Sequence, residues 1–256
     1  MSRMELSAVY ITKDAGTEFR ASLASVVDLV EDIVVVDSGS QDETLMLAEA
    51  AGARIFHHPW PGFGAQRQYA VEQAKYDWVL VIDADEVLRP EGCERIRARL
   101  QSAPAASAYA LRRRSYIGGR AICHGDWGED WVLRLLDRRR GHYDASDLVH
   151  ESWHTAGPSE RLPGWHMDHY TFASYADMLH KLARYGRLNA EQLHRRGRRV
   201  GSWMPMSHAL ASFLRSYLLK QGFRDGLDGA AIAWTTALGS FMKYAIAYEL
   251  QQQERG

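Results

Sequence analysis

Two carboxylates one residue apart, directly after an apolar run, are the clearest chemical feature of the chain. The run is Trp78-Val79-Leu80-Val81-Ile82, and the acids follow in Asp83-Ala84-Asp85-Glu86. A chain leaving a strand need not alternate faces, so Asp83 and Asp85 can both turn toward one hard divalent cation. The competing reading is a set of acids collected ahead of the helix that Pro90 opens, where the helix dipole favours negative charge. Asp37 has the same placement. It closes Val34-Val35-Val36 and leads into Ser38-Gly39-Ser40, where a carboxylate can accept hydrogen bonds from a base or ribose and the serine turn can cap the next helix. Capping accounts for Ser40 and Asp42 but not for Asp37.

A different chemistry is written in His150-Glu151-Ser152-Trp153-His154. On a helix the two histidines fall on one face and can bind zinc, with Glu151 as hydrolytic base and His166 or His169 as a third ligand. That would be a metallopeptidase. Thr155-Ala156-Gly157-Pro158 stops any helix directly after His154, however, and the peptidase reading leaves the strand-end acids unexplained.

The elements that must position these groups are legible from periodicity. Ser7 to Thr12, Asp32 to Val36, Arg54 to His57 and Trp78 to Ile82 read as strands. Helices are expected over Glu18 to Leu29, Asp42 to Ala51 and Gly64 to Lys75. Strands alternating with helices form a parallel sheet whose ligands sit beyond the carboxyl ends of the strands. A helix from Pro90 to about Gln101 and strands at Tyr109 to Arg114 and Val132 to Asp137 follow. From Thr171 the pattern becomes long helices, near Phe172 to Arg196, Met206 to Gln221 and Gly226 to Gln252. The expected organisation is a domain over 1–170 and a helical C-terminal extension over 171–256.

Composition agrees with an enzyme-sized globular chain. The 256 residues carry 31 Lys+Arg and 32 Asp+Glu, with 46% hydrophobic residues, which excludes wholesale disorder and collagen-like or disulfide-scaffold classes. Two cysteines cannot make a disulfide framework, and a reducing cytoplasmic setting is the better prior. No signal-peptide pattern is present at the N-terminus, and the most apolar stretch, Gly229 to Met242, falls short of the roughly 20 residues a span requires. Residues 171–256 hold 12 Lys/Arg and 6 Asp/Glu. This basic third is too modest for a nucleic-acid binder and suits an anionic membrane surface or an acidic acceptor.

Three segments in this order, Ala8-Val9-Tyr10-Ile11-Thr12-Lys13-Asp14, Val36-Asp37-Ser38-Gly39-Ser40 and Asp83-Ala84-Asp85-Glu86, resemble the family 2 glycosyltransferases of the GT-A fold. The resemblance implies a Rossmann-like, mostly parallel mixed sheet flanked by helices and a nucleotide-diphospho-sugar donor. It places Thr12, Lys13, Asp14, Asp37, Gly39 and Asp83 around that donor, and Asp83 and Asp85 around Mg²⁺ or Mn²⁺, which neutralises charge on the departing diphosphate. Between the motifs, the glycines and helix start of Trp60 to Ala70 suit a phosphate-side loop, with Arg67 placed to pair with the diphosphate. An ordinary surface arginine is the alternative.

Within that family the chain is similar to bacterial lipopolysaccharide inner-core glucosyltransferases acting on heptose. The similarity rests on Asp83 to Glu86, Trp127 to Leu135, Val149-His150-Glu151 and Gly222 to Gly226. It implies glucose from UDP-glucose, a core sugar or other glycolipid acceptor, and a place on the inner face of the cytoplasmic membrane. Inverting transfer needs a general base for the acceptor hydroxyl. Glu151, beside His150 and Trp153, ranks first and Asp130 second, with Glu129, Asp144 and Asp147 behind. The triplets Arg112 to Arg114 and Arg138 to Arg140 are placed to meet an anionic acceptor or simply to face solvent. In the tail, Arg195-Arg196-Gly197-Arg198-Arg199 before Trp203 and two apolar helices has the pattern of peripheral membrane contact. A homo-oligomer interface is the other reading. A nucleotidyltransferase and a noncatalytic sugar-nucleotide binding module are the remaining alternatives.

Overall fold

The structure is a computed structural model, and it describes residues 3–102, 104–145 and 152–254. Strands are β1 (Met4–Thr12), β2 (Val30–Asp37), β3 (Arg54–His57), β4 (Trp78–Val81), β5 (Glu86–Leu88), β6 (Ala108–Ile117), β7 (Arg120–Ala121), β8 (Asp130–Asp137), β9 (Gly141–Tyr143), β10 (Trp153–Thr155), β11 (Ser159–Arg161) and β12 (Met167–Phe172). Helices are α1 (Glu18–Val26), α2 (Thr44–Ala50), α3 (Phe63–Glu72), α4 (Pro90–Gln101), α5 (Tyr175–Arg195), α6 (Met204–Leu214) and α7 (Gly226–Gln253). The chain divides into two compact units, 1–113 with 131–169 and 114–130 with 170–256.

A mixed sheet in the order β3-β2-β1-β4-β8-β6-β12-β5 organises the first unit. The run β3-β2-β1-β4 is parallel, and β8 joins β4 antiparallel. Continuous Val/Ile runs are what a parallel strand covered on both faces requires. Val34, Val35 and Val36 of β2 are all fully buried. Successive residues of β2 face opposite sides, so Val35 joins a core with Leu6, Tyr10, Phe19 and Leu80, and Val34 joins one with Val9, Val71 and Val79. In α1, Phe19, Leu23 and Val26 recur at helical spacing and supply its buried face. Each such side chain contributes about 1.5–3 kcal/mol by leaving water.

The chain runs outward from β1 to β2 and β3, then returns to β4 on the other side of β1. Open α/β sheets bind ligands at such a reversal, beyond the carboxyl ends of the strands, here β1 and β4. Thr12 and Asp83 lie at those ends.

The second unit is mainly helical. Ser174 accepts a hydrogen bond from the Asp177 backbone N–H and caps α5. Helices α6 and α7 pair through ring contacts, with His208 against Tyr244 and Phe213 against Trp234. Asp228 accepts from Arg120 at 2.8 Å and from Tyr175 at 2.7 Å, which joins β7 to α5 and α7.

Several expected boundaries move. Residues Phe172 to Ser174, expected as helix, end β12 and provide the cap of α5. The helix expected to run from Met206 to Gln221 stops at Leu214 and continues as a widened turn over Arg215–Leu219. Cys93 and Cys123 are free thiols. Among the described residues, no helix is long and apolar enough to cross a membrane.

Candidate active site

At the end of β2, Asp37 is almost wholly buried and accepts four hydrogen bonds. Oδ2 receives the backbone N–H groups of Gly39 and Ser40 at 2.8 Å, and Oδ1 receives the hydroxyls of Thr12 at 3.0 Å and Ser40 at 2.5 Å. Burial pushes its pKa up, but these donors overcome it and leave the carboxyl below the usual range. A carboxylate offers about four lone-pair sites, so the turn itself occupies Asp37. Gly39 takes a left-handed φ of 96°, which lets the turn fold back onto the acid.

Ser40 does not cap α2, as the sequence suggested. Its hydroxyl oxygen instead accepts the Asp14 N–H at 2.8 Å, while Asp14 Oδ1 accepts the Gln41 N–H at 2.8 Å. The loop after β1 is thereby tied to the loop after β2, with Lys13 and Asp14 exposed at its surface. Asp42 accepts the N–H and hydroxyl of Thr44, the first residue of α2. The fully buried Gln66 donates to the Ser38 hydroxyl at 2.9 Å and bonds His58 Nδ1 at 2.7 Å, which fastens the start of α3 to the same turn.

The second acid group sits in a lattice of arginines. Arg67 is buried and donates to Asp83 Oδ1 at 2.7 Å, which removes the surface-arginine reading and directs the guanidinium to the acid motif. Arg134, on β8, bonds Asp83 Oδ2 and reaches Glu86 Oε1 at 2.7 Å. Arg113 meets the same Glu86 oxygen at 2.7 Å, and Glu86 Oε2 accepts the Asp83 N–H at 3.0 Å. Glu86 is wholly buried. Desolvation alone would raise both carboxyls; Arg134 foremost, with Arg67 and Arg113, holds Asp83 well below the carboxylate range, and Arg134 with Arg113 lowers Glu86. Three guanidinium groups therefore keep two acids ionised in a poorly solvated place.

Asp85 is differently set. Its side chain is partly exposed, and Oδ2 lies 3.5 Å from His169 Nε2. Among the described residues, no three His, Cys, Asp or Glu side chains gather as a metal-binding group. Mg²⁺ and Mn²⁺ sites on phosphate substrates commonly use one or two carboxylates, waters and the substrate's own oxygens. Asp85 with His169 nearby fits that kind of site, whereas Asp83 has both oxygens engaged by arginines.

Asp130 opens β8 and is half-buried. Glu151, with Asp147 and His150, lies outside the described residues. His154 is on β10, paired antiparallel with β9, and stacks on His142 at 5.6 Å, so the helix a zinc peptidase would need is replaced by a strand at this histidine. His166 is buried and accepts the Arg112 N–H at Nδ1, 3.1 Å away, a packing role. Within the arginine triplets, Arg113 serves Glu86. Arg112 stacks on Trp165 at 3.7 Å, and Arg139 pairs with Asp137 at 2.9 Å.

Sequence reasoning did not single out Glu86, Arg113, Arg134 or Gln66 as one framework. Glu86 stood inside the quoted motif, but its partners come from β6 and β8, far away in sequence.

A mixed sheet whose parallel run ends in acids, a reversal of strand order beside β1 and an arginine-held Asp83 give the frame on which open α/β sheets bind ligands. Residues 7–173 match the family described as "Glycosyl transferase family 2", and the chain belongs to that family. It is a sugar-transferring enzyme that works from a nucleotide-sugar donor to a glycan acceptor. The chain is 31% identical over 223 residues to the lipopolysaccharide core biosynthesis glycosyltransferase LpsC of Rhizobium meliloti, covering 85% of this chain and 83% of that protein. Structures are more distant. TarS 1–349 of S. aureus superposes with a TM-score of 0.47 at 14% identity over 98% of this chain and 92% of that one. Glucosyl-3-phosphoglycerate synthase of Mycobacterium tuberculosis, in complex with Mn²⁺, uridine diphosphate and glucosyl-3-phosphoglycerate, has a TM-score of 0.34 at 25% identity over 44% of this chain and 43% of that one.

Proposed function

We propose that the chain is a cytoplasmic, inverting hexosyltransferase that moves glucose from UDP-glucose to a core sugar of lipopolysaccharide or to a related cell-envelope glycan. The similarity to LpsC over most of both chains supports the acceptor class, and the motif resemblance supports the donor. The observation that carries the chemistry is the division of labour in the acid motif. Asp83 is engaged by Arg67 and Arg134, while Asp85 is partly exposed with His169 3.5 Å away.

Asp85 would hold a Mg²⁺ or Mn²⁺ ion, which when bound supplies positive charge against the departing diphosphate. Asp83, fixed by its arginines, presents a rigid rim at the end of β4 for the donor's ribose. The turn of Ser38 to Ser40 borders the base, and Thr12 or Ser40 can yield a hydroxyl bond on Asp37 to a donor group. Lys13 and Asp14 lie exposed on the adjoining loop. The acceptor oxygen attacks the sugar carbon opposite the leaving group as a carboxylate takes its proton. Glu151 is the proposed base and Asp130 the second choice. The domain division at about residue 170 assigns donor chemistry to 1–170 and acceptor, membrane or subunit contact to 171–256.

Transfer of labelled glucose to heptose-terminated core oligosaccharide, with the product anomer read by NMR, tests the reading. A β-linked product supports it, and an α-linked product or release of pyrophosphate from a nucleoside triphosphate contradicts it. Glu151→Gln should lower turnover on the order of 10²–10⁴-fold with donor affinity nearly unchanged. An unaltered rate transfers the base role to Asp130.

A further inference from the structure

The second unit exposes far more large apolar surface than a solvated helical pair needs. On α6 and its approach, Trp203, Met206, Leu210 and Leu214 recur every three or four residues, and all four are exposed, Trp203 by 70%. On α7, Leu227, Trp234 and Leu238 repeat the pattern at spacings of seven and four, with Trp234 65% exposed. The helices run antiparallel, with Phe213 against Trp234 and His208 against Tyr244, so the stripes lie on adjoining helices. No charged residue interrupts Trp203 to Leu214 or Gly229 to Met242.

The charges border this surface instead of crossing it. Arg195, Arg196, Arg198 and Arg199 are all exposed directly before Trp203, and Arg224 is exposed beyond the end of α6, where Arg215 and Lys220 are also exposed but paired with Asp126. Most acids of this unit are already engaged: Asp225 accepts from the backbone N–H groups of Cys123 and His124, Asp228 pairs with Arg120, Asp126 serves Lys220 and Arg215, and Glu254, next to the arginine run, pairs with His194.

We propose that α6 and the exposed stripe of α7 lie in the headgroup region of an anionic phospholipid bilayer, with the flanking arginines on lipid phosphates. The apolar stripes remove their area from water by entering the acyl boundary, and the two tryptophans suit the interface, where one edge is apolar and the other wet. Charge decides the occupant. A second copy of this chain would bring the same cationic border to the contact, whereas an anionic bilayer supplies the missing sign. This surface stands independently of the sugar and the base assigned above.

Flotation of the full chain with vesicles of phosphatidylcholine, or of phosphatidylcholine with 40% phosphatidylglycerol, tests it. The chain is expected to float with the anionic vesicles, to be released by high salt and to stay behind with neutral ones. Replacing Arg195, Arg198 and Arg199 by Gln should weaken binding by about fivefold per arginine. The double variant Trp203→Ser, Met206→Ser should weaken it at least tenfold without altering thermal stability, because both side chains are already solvent-facing. Absence of flotation, or equal binding to neutral vesicles, overturns the proposal. A dimer in sedimentation that the double variant dissociates overturns it too and gives the face to a second copy.

Discussion

The residues that matter most in the acid motif are those that hold it. Arg134 bridges two acids, and removing it leaves Asp83 with one guanidinium and the wholly buried Glu86 with one. Arg134→Met is expected to destabilise the protein by about 3–5 kcal/mol, read by urea unfolding. Arg134→Lys should recover only part of that, because an ammonium cannot make the forked contact. A loss below 1 kcal/mol in the Met variant would show that the bridge is dispensable. His166 gives the corresponding pH effect. Burial, with Arg95 as a lesser cause, lowers its pKa to about 4. The folded protein therefore keeps it neutral where the unfolded chain, with a pKa near 6.5, takes up a proton. Stability from this group is complete above about pH 6.5, falls as pH drops toward 4 and changes no further below that. The total is at most about 3 kcal/mol. His166→Gln should flatten the dependence of Tm on pH across this window; an unchanged slope would assign the slope to other groups.

At the scale of elements, the strand-to-loop junctions were the most legible part of the chain. Asp37 and Asp83 were placed by the apolar runs before them, and both stand at strand ends. Their partners were not legible, since Arg113 and Arg134 arrive on β6 and β8, whose pairing no local pattern encodes. Asp32 shows the same limit. It reads as the polar start of a strand, yet it is buried and accepts from Ser7, Arg54 and the Lys75 N–H. The strand β12 was hidden because Met167 to Phe172 lacks alternation and its pairing with β5 is long-range. The junction of α4 with the residue before β12 yields a sharp prediction. A Cβ on Gly92 would lie 2.3 Å from the His166 carbonyl oxygen and 2.8 Å from its Cα. Because the obstacle is backbone, Gly92→Ala should cost about 3 kcal/mol in unfolding free energy. A neutral Gly92→Ala would mean that α4 can shift freely along the sheet.

For the whole molecule, the α/β pattern and the helical tail followed from periodicity alone, because long repeats average out local ambiguity. The choice of chemistry did not follow from any one motif. His154 proved to be a strand residue, and the Asp-x-Asp gained its meaning from the order of three strand ends. The central claim is that Asp85 couples a divalent cation to a nucleotide-sugar at the end of β4. Its most direct test is thermal unfolding of the wild-type chain and of Asp85→Ala, with UDP-glucose and Mn²⁺ or Mg²⁺, and again with EDTA. GDP-, CMP- and dTDP-sugars serve as controls. Donor at about 100-fold over Kd should raise the wild-type Tm by roughly 5 °C or more. The rise should vanish with EDTA and in Asp85→Ala, whose own Tm without ligand stays near that of wild type. A shift unaffected by EDTA and by Asp85→Ala, or no shift with any sugar nucleotide, would contradict the account.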